Sequence, residues 1–115
     1  MNKMKSDINE MLKAVRQFYQ KNDFEIGSNN TEIILYRTNL MMEELGEICQ
    51  CLTKGRGNLA EEHIDLFILI LGNCLTMNID FVEEFWKKYE VIIQREAIDV
   101  NGRNRVTNIS KNENK

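Results

Sequence analysis

Proline is absent from all 115 residues. Its absence removes the commonest helix breaker and permits long helices throughout. Glycine is scarce as well, with six residues thinly spread. Residues 64–75 form the longest apolar segment, which Asp65 interrupts and which is too short to span a bilayer. Met1, Asn2, Lys3 and Met4 open the chain without the apolar core of a signal peptide. A cytoplasmic protein with no membrane partner is the expectation. The three cysteines, Cys49, Cys51 and Cys74, are odd in number and lie within apolar helical patterns. They read as reduced packing residues rather than a disulfide framework. Cys49 and Cys51 also lack the spacing and the second pair of a zinc site. The formal net charge is −3 and no long basic stripe precedes the C-terminal end, which argues against nucleic acid as the main partner. An anionic small molecule is compatible with this charge where cations, metallic or protein-borne, gather locally.

The hydrophobic fraction of 43% is that of a globular chain, and its length suits one domain with a modest core. Four helical segments are legible. The first covers about residues 7–21, with Asp7 and Glu10 as a capping box and Ile8, Met11, Leu12, Val15, Phe18 and Tyr19 at helical spacing. A second helix starts at Asn29 or Asn30, with Asn29 and Glu32 as a capping pair, and runs to about Thr53. Gly55 suits its left-handed C-terminal position. Asn58 with Glu61 caps a third helix, apolar nearly all round and therefore expected in the middle of a bundle. Asp80 with Glu83 opens a fourth, reaching about Ile98 and burying Phe81, Phe85, Trp86, Tyr89, Ile92 and Ile93. The expected architecture is all-α, a four-helix arrangement over residues 1–98 followed by a polar, loosely ordered tail over 99–115. Three small neighbours leave apolar faces of the third helix uncovered, so a homodimer or homotetramer is expected to complete it.

The informative feature is Glu43-Glu44-Leu45-Gly46-Glu47 on the second helix, followed by Glu61-Glu62-His63-Ile64-Asp65 on the third. Residues three apart lie about 60° apart around a helix axis, and residues four apart about 40°. Glu44 and Glu47 thus share a face, as do Glu62 and Asp65. A short turn makes the two helices antiparallel, so the two pairs can face each other. Leu40, Met41, Leu45 and Ile48 border the first pair, and Asp65 precedes six consecutive apolar residues. An ionised carboxylate in such surroundings is costly unless paired or metal-bound. Converging carboxylates raise one another's pKa and call for a cation, and an all-oxygen cluster suits Mg²⁺ or Mn²⁺. Spacing alone leaves this metal site beside a second reading, in which the acids are a solvated or salt-bridged face and Glu61 and Glu62 serve the helix dipole.

Glu44-Leu45-Gly46-Glu47 and Glu62-His63-Ile64-Asp65 resemble the paired Glu-x-x-Glu and Glu-x-x-Asp element of the MazG-like all-alpha nucleotide pyrophosphohydrolases. The flanking words "EELGEI" and "EEHIDLFILILGN" fit the same family, and the resemblance covers roughly residues 16–95. It implies an Mg²⁺-dependent enzyme, with Mn²⁺ as a substitute, that cleaves a nucleoside triphosphate between its α and β phosphates. By this resemblance Glu44, Glu47, Glu62 and Asp65 are metal ligands, and Glu47 is also a candidate acceptor of the water proton. Glu43 and Glu61 stand beside them in supporting positions. Lys88 matches a family lysine that stabilises charge on the phosphates, with Lys87 and Arg95 as further basic contacts. Ile92 stands where the family commonly has asparagine, a departure that bears on these contacts. Arg16-Gln17-Phe18 resembles the family's arginine-x-aromatic word near the nucleotide pocket, which makes Arg16 and Phe18 candidate substrate contacts. Two alternatives accompany this reading. One is a helical metal-binding or interaction module without chemistry, and the other is a hydrolase of a phosphoribosyl nucleotide.

Overall fold

The structure is a computed structural model, described here over residues 7–106. The chain divides into two compact units, Met1–Phe81 and Val82–Lys115. The first contains α1 (Ile8–Lys21), α2 (Thr31–Lys54) and α3 (Leu59–Thr76). At the boundary α4 (Phe81–Ile92) begins, and a hairpin of β1 (Ala97–Val100) and β2 (Arg103–Val106) follows it in the second unit. The all-α expectation holds, with this two-stranded sheet as the one addition among the described residues.

Helix starts follow the capping chemistry. Asp7 Oδ1 accepts from the Glu10 amide at 3.0 Å, and Asn58 Oδ1 accepts from the Glu61 amide at 3.0 Å. At α2 the cap is Asn30, whose Oδ1 accepts from the amides of Glu32 and Ile33. Asn29 is instead left-handed, and its amide donates to the Thr76 carbonyl at 2.9 Å. The capping pair therefore belongs to Asn30 rather than Asn29. Gly55 closes α2 in the left-handed conformation, and the turn to Asn58 is so short that α2 and α3 pack antiparallel.

The core of the first unit lies where α1 crosses the C-terminal half of α3. Val15, Tyr19, Leu71 and Leu75 are buried there, with Leu12, Ile26, Phe67 and Phe81 packed around them. Only that half of α3 is closed off. Ile64 is 55% exposed near its start, and Ile68 and Ile70 are exposed along it, so the helix is not buried all round as its composition suggested. A buried cation ties the three helices together. Arg37 of α2 donates from one guanidinium nitrogen to the Gly72 carbonyl, to Asn73 Oδ1 and, at 2.7 Å, to Thr76 Oγ1. Its guanidinium lies 4.9 Å from the centre of the Tyr19 ring, a cation–π contact strengthened by desolvation. Thr76 Oγ1 in turn donates to the Glu25 carbonyl at 2.7 Å. The loop between α1 and α2 is thereby fastened to the end of α3, where the Gly27 amide also donates to the Leu75 carbonyl. The Gly27 and Asn29 amides thereby satisfy the Leu75 and Thr76 carbonyls, which a helix end leaves without partners.

The second unit departs from the expected long fourth helix. Val91, Ile92 and Ile93 are consecutive β-branched residues, poor helix propagators. The amides of Gln94 and Arg95 turn back to carbonyls three residues earlier, and the helix gives way to strands. Asn101 and Gly102 both have positive φ, the geometry of a two-residue hairpin turn. Ala97 pairs with Val106 and Val100 with Arg103. The segment read as a polar tail from Asp99 thus begins inside a strand, and residues 107–115 lie outside the described residues. No α4 residue is fully buried. Phe85, Trp86 and Tyr89 pack on one another instead, with ring centroids 5.1–6.2 Å apart.

Gly72 tests the packing of the first unit. A Cβ there would run into the Tyr19 phenol, so Gly72→Ala is expected to cost about 1–3 kcal/mol or more in urea unfolding. Arg37→Leu is expected to cost about 1.5–3 kcal/mol, because the charge-assisted bonds are lost. By contrast, Gly46 has open space at its Cβ. Gly46→Ala is expected to stabilise by about 0.5–1 kcal/mol.

Candidate metal and nucleotide site

The antiparallel pairing that sets Arg37 against the end of α3 also sets the middle of α2 against its start. Glu44 and Glu47, one helical turn apart, meet Glu62 of α3. One carboxylate oxygen from each of the three lies within 4.8 Å of the others. No basic side chain forms an ion pair with these acids among the described residues. Glu44 Oε2 and Glu62 Oε1 are buried and have no hydrogen-bond donor. A cluster of facing acceptors is unstable with every member ionised, and only protons or a cation relieve it.

The proton affinities record this conflict. Glu44 is pushed up, first by partial burial and then by the charge of Glu47. Glu47 is raised chiefly because it holds a proton shared with Glu62, and then by the charge of Glu62. Glu62 is raised by burial, with Glu44 and Asp65 adding to it. The donor set and the two orphaned oxygens fit a hard divalent cation, which takes all-oxygen ligands.

Asp65 is outside the tight group of three. It is exposed, so the burial expected from its apolar neighbours does not occur, but its charge raises all three glutamates. With Glu43 and Glu44 it lines a cavity of about 520 Å³ walled by Ala14, Val15 and Phe18 of α1 and by Leu40, Ile68 and Leu69. A neighbouring cavity of about 410 Å³ shares Phe18, Leu40, Ile68 and Leu69 and adds Phe24, Tyr36 and Arg37. Phe18 stands half-exposed between the two, edge-on to Phe24 at 5.8 Å.

The other candidates fall elsewhere. Arg16 lines a separate recess with Leu12, Cys74 and Asp80, so the structure does not bring it to the acidic cavity. Lys87, Lys88 and Arg95 belong to the second unit. There Lys87 pairs with Glu84 at 3.4 Å, with both side chains exposed, a contact worth little in stability. His63 is exposed, with Nδ1 2.8 Å from the Leu59 carbonyl. Sequence reasoning missed Arg37, Phe24 and Tyr36. Arg37 carries no motif, and its role appears only when the end of α3 is brought beside it.

A family model for phosphoribosyl-ATP pyrophosphohydrolase matches residues 2–90. The chain belongs to that family. It falls within the all-alpha, MazG-like pyrophosphatase superfamily, as the paired acidic words implied. The phosphoribosyl-ATP pyrophosphohydrolase family consists of hydrolases acting on phosphate anhydrides, and this chain is accordingly an enzyme of that class. No curated protein and no solved structure matches it.

The raised glutamates make stability depend on pH with a definite sign. Each holds its proton more tightly folded than unfolded. Their contribution is fully present below the ordinary glutamate range and is lost as pH rises through the raised values. The thermal midpoint of chelator-treated protein is therefore expected to fall across that window, and less steeply in Glu62→Gln. Added Mg²⁺ or Mn²⁺ should restore the midpoint above the window, which thermal denaturation at a series of pH values will read.

Proposed function

We propose that the chain is a Mg²⁺-dependent nucleotide pyrophosphohydrolase that cleaves between the α and β phosphates of its substrate and releases pyrophosphate. The convergence of Glu44, Glu47 and Glu62 with two donorless oxygens carries this reading. Glu44, Glu47 and Glu62 would hold the ion, with Asp65 completing the set from the cavity side. Bound there, Mg²⁺ or Mn²⁺ would neutralise the triphosphate and lower the pKa of the attacking water. Glu47 is exposed, and its raised pKa suits it, once ionised, to take a proton from that water. Phe18 offers an exposed ring to a base at the junction of the two cavities. Lys88, with Lys87 and Arg95, is assigned to the phosphates by the family resemblance.

The preferred substrate is a phosphoribosyl nucleotide, phosphoribosyl-ATP in the first instance. The family match favours it, and two adjoining cavities offer separate places for a base and a second sugar phosphate. Plain ribo- and deoxyribonucleoside triphosphates are the second reading, favoured by the MazG-like words. The working assembly we propose is a homodimer or homotetramer. Leu35, Met42 and Leu52 of α2, each more than 60% exposed, form apolar surface that a second copy would cover. Nucleic acid and membrane have no part in this reading, which places the enzyme in the cytoplasm.

Incubating the protein with phosphoribosyl-ATP and a panel of nucleoside triphosphates, with Mg²⁺, Mn²⁺ or chelator, tests the reading directly. Pyrophosphate and the matching monophosphate, resolved by anion exchange and lost with chelator, are expected. Glu47→Gln and Asp65→Asn should each lower turnover about a hundredfold or more while helix content by circular dichroism stays unchanged. Orthophosphate as the product would sink the assignment of the cleaved bond, and full activity in either variant would remove the site. Light scattering should return the mass of two or four chains.

A further inference from the structure

Arg37 is only 8% exposed, yet its bonds to the end of α3 engage a single guanidinium nitrogen, Nη1. Nε and Nη2 make no hydrogen bond among the described residues, and neither is sealed from solvent. With the Tyr19 ring against the guanidinium, these donors are left to the cavity of about 410 Å³ that Arg37 lines. A second feature of the same cavity is independent of the first. Phe18, Phe24 and Tyr36 border it, and all three are exposed. Exposed rings around a recess with free donors on its buried side suit a flat aromatic ligand that carries a hydrogen-bond acceptor on its rim. Asp23 and Glu25 also border the cavity, which disfavours a phosphate group there and spares an uncharged ring system.

We propose that this cavity is the base subsite and that it selects purines, with Arg37 donating from Nε or Nη2 to purine N7 while Phe18, Phe24 and Tyr36 supply stacking surface. The inference rests on the reading that the chain hydrolyses a nucleotide at Glu44, Glu47 and Glu62. It deepens that reading by assigning the base to one of the two cavities and naming the residue that reads it. Arg37 precedes Glu44 by seven residues on α2, which is about 10 Å along the axis and on the same helical face. The cavity beside Glu44 shares Phe18, Leu40, Ile68 and Leu69 with this one, so one nucleotide can set its phosphates at the acids and its base beside Arg37. Adenine and guanine both carry the N7 acceptor, which a guanidinium reads and which pyrimidines lack. Stacking on aromatic rings tolerates any base, so the selectivity falls to Arg37. Because Nη1 is already tied to α3, the side chain is ordered before the base arrives.

The test uses the full chain with Mg²⁺ and nucleoside monophosphates as probes, read by calorimetry rather than by turnover. AMP and GMP are expected to bind about tenfold or more tighter than CMP and UMP, and 7-deaza-AMP about tenfold weaker than AMP. Arg37→Lys keeps a cation for the end of α3 but replaces the guanidinium fork with a single ammonium. In that variant, with its fold checked by circular dichroism, the affinities for AMP and 7-deaza-AMP should become equal. If Arg37→Lys does not fold, the comparison of AMP with 7-deaza-AMP in the wild-type chain still decides. Tyr36→Ala should weaken AMP and 7-deaza-AMP alike, as loss of stacking surface would. Pyrimidine monophosphates that bind as tightly as purine ones, or 7-deaza-AMP that binds as tightly as AMP, overturn the proposal. Pyrophosphate release from the triphosphate panel separates the two levels. If pyrophosphate is released with Mg²⁺ and the base comparison fails, only the base subsite falls. If no nucleotide is bound or hydrolysed, the nucleotide reading falls and takes this inference with it.

Discussion

Among the described residues the buried guanidinium of Arg37 has no carboxylate partner, a placement that is costly unless the charge is solvated from within. Here the solvent is the end of α3, whose Gly72 carbonyl, Asn73 amide oxygen and Thr76 hydroxyl accept from one nitrogen while the Tyr19 ring covers the cation's face. The acceptors come from α3, the ring from α1 and the charge from α2, so holding the charge means holding the three helices in one register. That register sets the middle of α2 beside the start of α3. The acidic cluster and the buried charge, two to three helical turns apart, thus share one antiparallel register. Gly72 matters for the same reason, since only a residue without a side chain admits the Tyr19 ring.

The cluster inverts the logic of that anchor. At Arg37 a charge is matched by surrounding dipoles. At Glu44, Glu47 and Glu62 like groups face one another, and each carboxyl is held above the usual carboxylate range. A protein tolerates such frustration where it serves a ligand, because a structure arranged for its own comfort would place a lysine or arginine there. Family membership agrees with this, as phosphate-anhydride hydrolysis needs positive charge brought to a polyanion.

Much of this was readable in the chain because it is local. The caps at Asp7 and Asn58 and the stop at Gly55 are written in neighbouring residues. The pairs Glu44/Glu47 and Glu62/Asp65 need only helical periodicity and a short turn to face each other. What failed depended on distant partners or on a misjudged competition. Asn29 lost the α2 cap to Asn30 because its amide is engaged by Thr76, far along the chain. The fourth helix was read too long because the apolar spacing runs on through Ile92 and Ile93, whereas β-branching and the Asn101-Gly102 turn favour strands. That dipeptide was the available signal for the hairpin, although the flanking strands are too short and polar to announce themselves. Asp65 was expected to be buried on the assumption that an apolar helix is covered all round. The structure leaves the first half of α3 open, and the acid with it.

The turn between α2 and α3 spans only the few residues from Gly55 to Asn58. Closing so short a loop removes little chain entropy, and contacts between consecutive helices are the kind that form fast. The three glutamates can therefore meet while α1 and its loop are still unattached, before Arg37 has found all its acceptors. Repulsion among them then opposes collapse of the hairpin during folding, and a divalent cation that relieves it acts as a nucleating clasp. A cation held there, as proposed above, would also hasten the chain's own assembly.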